Sequence, residues 1–82
     1  MNIKESIKII NEEILQGYNM NEERDNKENE IVLKHKNNKW IVYVTDERAS
    51  KITKSEDIYL IEEEALGNFI DRLREYKILR EL

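Results

Sequence analysis

The chain has no cysteine, no proline, two glycines and a single histidine. Without cysteine it can form neither a disulfide nor a thiolate metal site, which fits a reducing compartment. One histidine and no glycine-rich phosphate loop leave out the common nucleophile–base pairs, paired-histidine metal sites and nucleotide cradles. His35 therefore reads as a polar strand-end residue beside Trp40 and not as a catalytic base. Adjacent acids such as Glu12-Glu13 and Glu22-Glu23 do not face the same way on a helix, and the acids near residue 25 lack the glycine and alternating ligands of a calcium loop. Long apolar runs are missing too, and none approaches the roughly 20 residues of a membrane span. Lys4, Glu5, Lys8, Glu12 and Glu13 interrupt the N-terminal isoleucines, so no uncharged signal-peptide core is present. The expectation is a cytoplasmic, non-enzymatic protein with no cofactor, no metal and no membrane association.

What the sequence does contain is charge. Charged and hydrophobic residues each make up 39% of 82 positions, a length that closes one core and therefore one domain. Eighteen acids against 14 bases give a net charge of −4, which argues against direct nucleic-acid binding and suits a basic protein partner.

The apolar residues are periodic. Ile3, Ile7, Ile10 and Ile14 recur at helical spacing, so residues 2–16 are expected as a helix whose stripe faces the core, stopped by Gly17. Residues 17–30, with five acids and two bases from position 19 onward, read as a solvated, mobile acidic loop. Residues 31–45 form a hairpin turning at Asn37-Asn38, both tolerant of positive φ. That turn pairs His35 with Trp40, Leu33 with Val42 and Ile31 with Val44, and puts Trp40 in the core. The opposite face carries Val32, Ile41 and Tyr43, either covered by the C-terminal segment or left open for interaction. A third strand is expected within 50–60. Leu66, Phe69, Ile70, Leu73 and Tyr76 then mark a helix over 61–78, with Glu62, Glu63 and Glu64 in its first turn and Arg72, Arg74, Lys77 and Arg80 late, matching its dipole. The fold class is α+β, ordered α-β-β-β-α: a three-stranded antiparallel meander against two helices.

The candidate partner-binding residues are Tyr43, the corner Asp46, Glu47 and Arg48, and the acids Glu56, Asp57, Glu62, Glu63 and Glu64. The corner ends the densest strand abruptly and leaves Arg48 free to pair with an acid of the last helix or of the corner itself. The acids form a negative rim able to steer a basic protein, although the first helical turn favours acids in any case.

From Trp40 onward the chain resembles a family of small bacterial immunity proteins of polymorphic toxins. The similar features are a Trp-x-Val-Tyr strand (Trp40, Val42, Tyr43), a Glu-Arg-Gly corner (Glu47-Arg48-Ala49), a Glu-Glu-Ala helix start (Glu63-Glu64-Ala65) and an Arg-Leu pair (Arg72-Leu73). Ala49 stands where the pattern has glycine, so a positive-φ turn there would be strained. The resemblance implies a stoichiometric inhibitor of a toxin domain, such as a basic nuclease. Two other functions fit the same residues: an acidic, nucleic-acid-mimicking anti-defence protein of a phage or mobile element, and a homodimer built on the Val32, Ile41 and Tyr43 strip. In isolation the chain would be a monomer or that homodimer.

Overall fold

The computed structural model describes residues 1–82. Helix α1 (Ile3–Glu13) is followed by strands β1 (Tyr18–Met20), β2 (Ile31–Lys36) and β3 (Lys39–Val44), a short 3-10 turn at Thr53–Ser55, strand β4 (Asp57–Tyr59) and helix α2 (Glu62–Arg80). The strands form one sheet in the order β1-β2-β3-β4. The α+β class and the helix–strands–helix order are as expected. The sheet has four strands and not three, and it is mixed, because β1 pairs in parallel with β2. The extra strand lies inside the stretch expected as a solvated loop. Tyr18 and Met20 face the core and pack against it, Tyr18 edge-on to Phe69 with ring centroids 6.1 Å apart. Two apolar residues at period two are too short a signal to stand out from acidic surroundings.

The hairpin folds in the expected register, with Ile31 opposite Val44, Leu33 opposite Val42 and His35 opposite Trp40. Asn37 (φ 52°) and Asn38 (φ 62°) supply the two positive-φ positions of its turn. Ile31, Leu33, Trp40, Val42 and Val44 are all buried, joined by Ala65, Leu66, Phe69, Ile70 and Leu73 of α2. At about 1.5–3 kcal/mol for each large apolar side chain removed from water, this α2–sheet contact is the main apolar contribution to stability. No helix is long and apolar enough to cross a membrane.

Helix α1 departs from its expected form. Asn2 caps it, its side chain accepting from the Glu5 N–H at 2.8 Å, but it stops at Glu13, three residues short of the expected end. Ile14 takes a left-handed conformation (φ 53°) as its C-cap, which turns the chain so that Leu15 enters the core with 4% exposure. The buried line is thus Ser6, Ile10 and Leu15, while Ile3, Ile7 and Ile14 are exposed. An isoleucine stripe 100° or more wide cannot all face a sheet that α2 already covers.

The opposite face of the sheet is not covered by the C-terminal segment, and it is left open only toward β4, where Ile58 is exposed. Residues 21–30 cross it on their way from β1 to β2. Tyr43 donates to Asn26 Oδ1 at 2.9 Å, and Thr45 Oγ1 accepts from the Glu30 N–H at 2.9 Å while donating to the Lys27 carbonyl at 2.6 Å. Val32 and Tyr43 are buried as a result, so of the strip on which a homodimer was expected only Ile41 keeps some exposure.

The corner after β3 closes a narrow turn. Asp46 accepts from the N–H groups of Arg48 (2.8 Å) and Ser50 (3.0 Å), and the Ala49 N–H donates to the Asp46 carbonyl at 3.0 Å. Ala49 has φ 63°, so the turn keeps the geometry that suits glycine and carries the strain of a Cβ there. Relieving it is worth about 1–2 kcal/mol, less about 0.4–1 kcal/mol for the looser unfolded chain of glycine. Ala49→Gly is therefore expected to raise stability by about 0.5–1 kcal/mol, read as a melting temperature about 2–8 °C higher, and no increase would show that the turn is relaxed.

Candidate functional site

The structure splits the expected partner-binding residues into separate groups. Tyr43 is buried beneath the 21–30 crossing with 8% exposure, so it supports the fold from inside. The corner Asp46-Glu47-Arg48 follows the C-terminal end of β3. The start of α2 follows β4, whose Tyr59 lies level with Trp40 near the other end of β3. Six residues of strand separate Trp40 from Asp46, about 20 Å at about 3.3 Å per residue, so the corner and the Glu62–Glu64 turn are distinct surfaces. Glu47 and Arg48 are exposed, and Arg48 pairs with no acid of the last helix. Its role in the fold is the backbone N–H given to Asp46.

The acids also differ in what neutralises them. Glu56 pairs with Lys51, whose ammonium also lies 5.3 Å from the centre of the Tyr43 ring. Asp57 pairs with Arg72 at 2.7 Å. Glu63 lies 3.2 Å from the Met1 amino group. Glu62 and Glu64 have no cationic partner, so the free negative charge at this end sits on the first turn of α2. Burial, reinforced by Asp57, pushes the neighbouring Tyr59 hydroxyl up from its ordinary pKa.

The best-organised polar cluster lies in residues 21–30. Arg24 binds Glu30 through two nitrogens, at 3.0 and 2.8 Å, and reaches Glu22 at 2.9 Å and the Tyr18 carbonyl at 3.2 Å. The Lys27 N–H adds a 2.8 Å bond to Glu30. Glu30 is 2% exposed. Burial pushes its carboxyl up, but Arg24 and the Lys27 N–H together outweigh that and hold it below the usual carboxylate range. The same hydrogen bonds, to Glu30 and then Glu22, push the Arg24 guanidinium further up. Sequence reasoning missed this cluster because it counted the acids as solvated. The available signal was the asparagines: Asn21 and Asn29 take positive φ, Asn19 accepts from the Glu22 N–H, and Asn26 ties the crossing to Tyr43.

A second ion pair joins the helices. Arg74 binds both carboxylate oxygens of Glu13, at 2.9 and 2.6 Å, and this hydrogen bonding lowers the Glu13 carboxyl. The largest cavity, 410 Å³, is an open polar cleft beside the Arg24–Glu30 cluster, whose charges are already engaged with each other. No three His, Asp or Glu side chains lie close enough together to hold a metal ion.

Compared with known proteins, residues 1–81 match the model of the family described as immunity protein 59. No curated protein and no solved structure matches the chain.

The cluster has a measurable pH signature. A carboxyl whose pKa is lower in the folded state adds stability above its unfolded value of about 4.3 and loses it as pH falls through the folded value. Unfolding free energy is therefore expected to hold near neutral pH and to fall below about pH 4.5. Arg24→Met, which leaves the buried Glu30 carboxylate without its cation, should lower stability at pH 7 and flatten that acid decline; urea unfolding at pH 7 and pH 3.5 checks both.

Proposed function

The chain belongs to the immunity protein 59 family, and from that premise we propose that it is a stoichiometric, non-enzymatic inhibitor that binds a toxin domain in the cytoplasm. The observation that carries this reading is the match over residues 1–81, which takes in both helices, the whole sheet and the acidic crossing. It extends the resemblance, which rested on Trp40 onward, to almost the full chain. Composition supports the mode of action. A single histidine and no cysteine offer little for covalent or acid–base destruction of a toxin, whereas occlusion needs only a rigid surface.

In this reading inhibition is steric and electrostatic. The inhibitor covers the toxin's active site or the path of its substrate. Its net charge of −4 speeds encounter with a basic toxin surface, such as the substrate groove of a nuclease. Encounter then slows as salt screens the charges, over about 10 Å at 0.1 M.

The test is a growth assay. Cells expressing a toxin domain that co-purifies with this protein from its host lysate should stop dividing, and co-expression of this protein should restore growth through an equimolar, isolable complex. Continued killing in the presence of folded, abundant protein would overturn the reading. Within that complex, replacing Glu62, Glu63 and Glu64 together by lysine should lower affinity about tenfold or more, mostly by slowing association, as titration at low and high salt would register.

A further inference from the structure

The two edges of the sheet are finished differently. On the β1 side, the Gly17 carbonyl accepts from the Ile31 N–H at 2.9 Å and the Asn21 N–H donates to the Leu33 carbonyl at 2.7 Å, so the alternate residue Tyr18 turns its backbone outward. The chain itself closes that edge, because the Tyr18 carbonyl accepts from Arg24 at 3.2 Å. Strand β4 forms the other edge. In the hairpin Lys36 and Lys39 flank the two-residue turn as a bonded pair, and bonded pairs alternate along antiparallel strands, so Ile41 and Tyr43 bond to β2 while Trp40, Val42 and Val44 turn toward β4. The Val44 carbonyl accordingly accepts from the Ile52 N–H, and its N–H donates to Ser55 Oγ, both at 2.9 Å. Trp40 with Tyr59 and Val42 with Asp57 are then the bonded pairs of β3 and β4. Ile58, between them, points both its N–H and its carbonyl off the edge of the sheet.

The side chains at this edge are open as well. Ile58, beside Ile41 on the face away from the helices, is 56% exposed, and Leu60 and Ile61 just beyond it are 75% and 55% exposed. No lysine, proline or bulge, the usual guards of a free edge, stands at the outward position. Glu56 and Asp57 are already neutralised by Lys51 and Arg72. Lys54 and Glu62 are not paired within the chain, and each lies four residues from Ile58, one before it and one after.

We propose that two copies of this chain join through their β4 edges, antiparallel about a two-fold axis at Ile58, so that the two sheets become one. Each Ile58 N–H then donates to the carbonyl of its counterpart, and the two Ile58 side chains meet on the same face. Charge complementarity selects the occupant. A two-fold axis at Ile58 sets Lys54 of each copy against Glu62 of the other, because the two residues are equally spaced from the axis and opposite in sign. With three residues β4 offers a short contact, so the dimer belongs to the weak, micromolar class. The proposal is independent of the immunity reading.

Sedimentation equilibrium over about 5–500 µM chain should give a mass rising from 9.9 kDa toward twice that value. Three variants, each first shown to be folded by circular dichroism, locate the contact. Ile58→Lys should remain at the mass of one chain throughout. Lys54→Glu and Glu62→Lys should each weaken association at least tenfold, since each sets like charges together at both ends. An equimolar mixture of those two variants should associate at least as tightly as the parent, because every contact is then again a lysine against a glutamate. A parent whose mass stays that of one chain at every concentration overturns the proposal. So does an Ile58→Lys protein that dimerises like the parent, or a mixture that associates no better than its components. If the parent is monomeric and Ile58→Lys instead weakens binding of the toxin domain used in the growth assay, the edge accepts a strand of the toxin and self-pairing is wrong.

Discussion

The Arg24–Glu30 ion pair is the constraint on which the upper half of the molecule depends. A parallel strand must be joined to its neighbour by a chain that crosses a face of the sheet, and here the crossing is only residues 21–30 with no helix of its own. Such a segment has little apolar surface to hold it down. It is held by charge and hydrogen bonds: a buried carboxylate gripped by two nitrogens of one guanidinium, with Asn26 and Lys27 tying the segment to Tyr43 and Thr45. Once in place it seals Val32 and Tyr43 from water, although Ile58 of β4 stays exposed on the same face.

The other face is built on apolar packing, and the two halves depend on each other. Helix α2 buries Leu66, Phe69, Ile70 and Leu73 against β2 and β3, and α1 completes the layer with Ile10 and Leu15. Tyr18 connects them, since its ring meets Phe69 on the helical side while its carbonyl accepts from Arg24. Loss of the ion pair would therefore reach the core through β1. The Ile14 and Ala49 backbones, both left-handed without being glycine, show that the packing is strong enough to hold local strain of about 1–2 kcal/mol at each position.

The distribution of charge follows from this architecture and bears on inhibition. Four of the 14 bases hold elements together through ion pairs: Arg24 on Glu30, Arg72 on Asp57, Arg74 on Glu13, Lys51 on Glu56. The acids outnumber them, and the surplus is left on surfaces the fold does not use. The corner at Asp46 serves a different purpose. Its aspartate closes a turn with both backbone bonds, and Glu47 and Arg48 are carried outward by it.

The sequence by itself determined the elements that local rules control. Asn37-Asn38 set the hairpin turn and so the pairing of Trp40, Val42 and Val44, since only residues that accept positive φ fit two such positions together. The spacing of Leu66, Phe69, Ile70 and Leu73 determined the buried side of α2, because 3.6 residues per turn leaves no other common face. Family membership was legible in part, through the corner and the helix start after Trp40. Only the tertiary structure decided what covers the second face of the sheet, which of the α1 isoleucines are buried, and which acids remain unpaired. Those outcomes depend on contacts between residues far apart in the chain: Arg74 reaching Glu13, Tyr43 reaching Asn26, Thr45 reaching Glu30. A charged residue looks the same in sequence whether its partner is water or a buried counter-ion, and folding alone makes the difference.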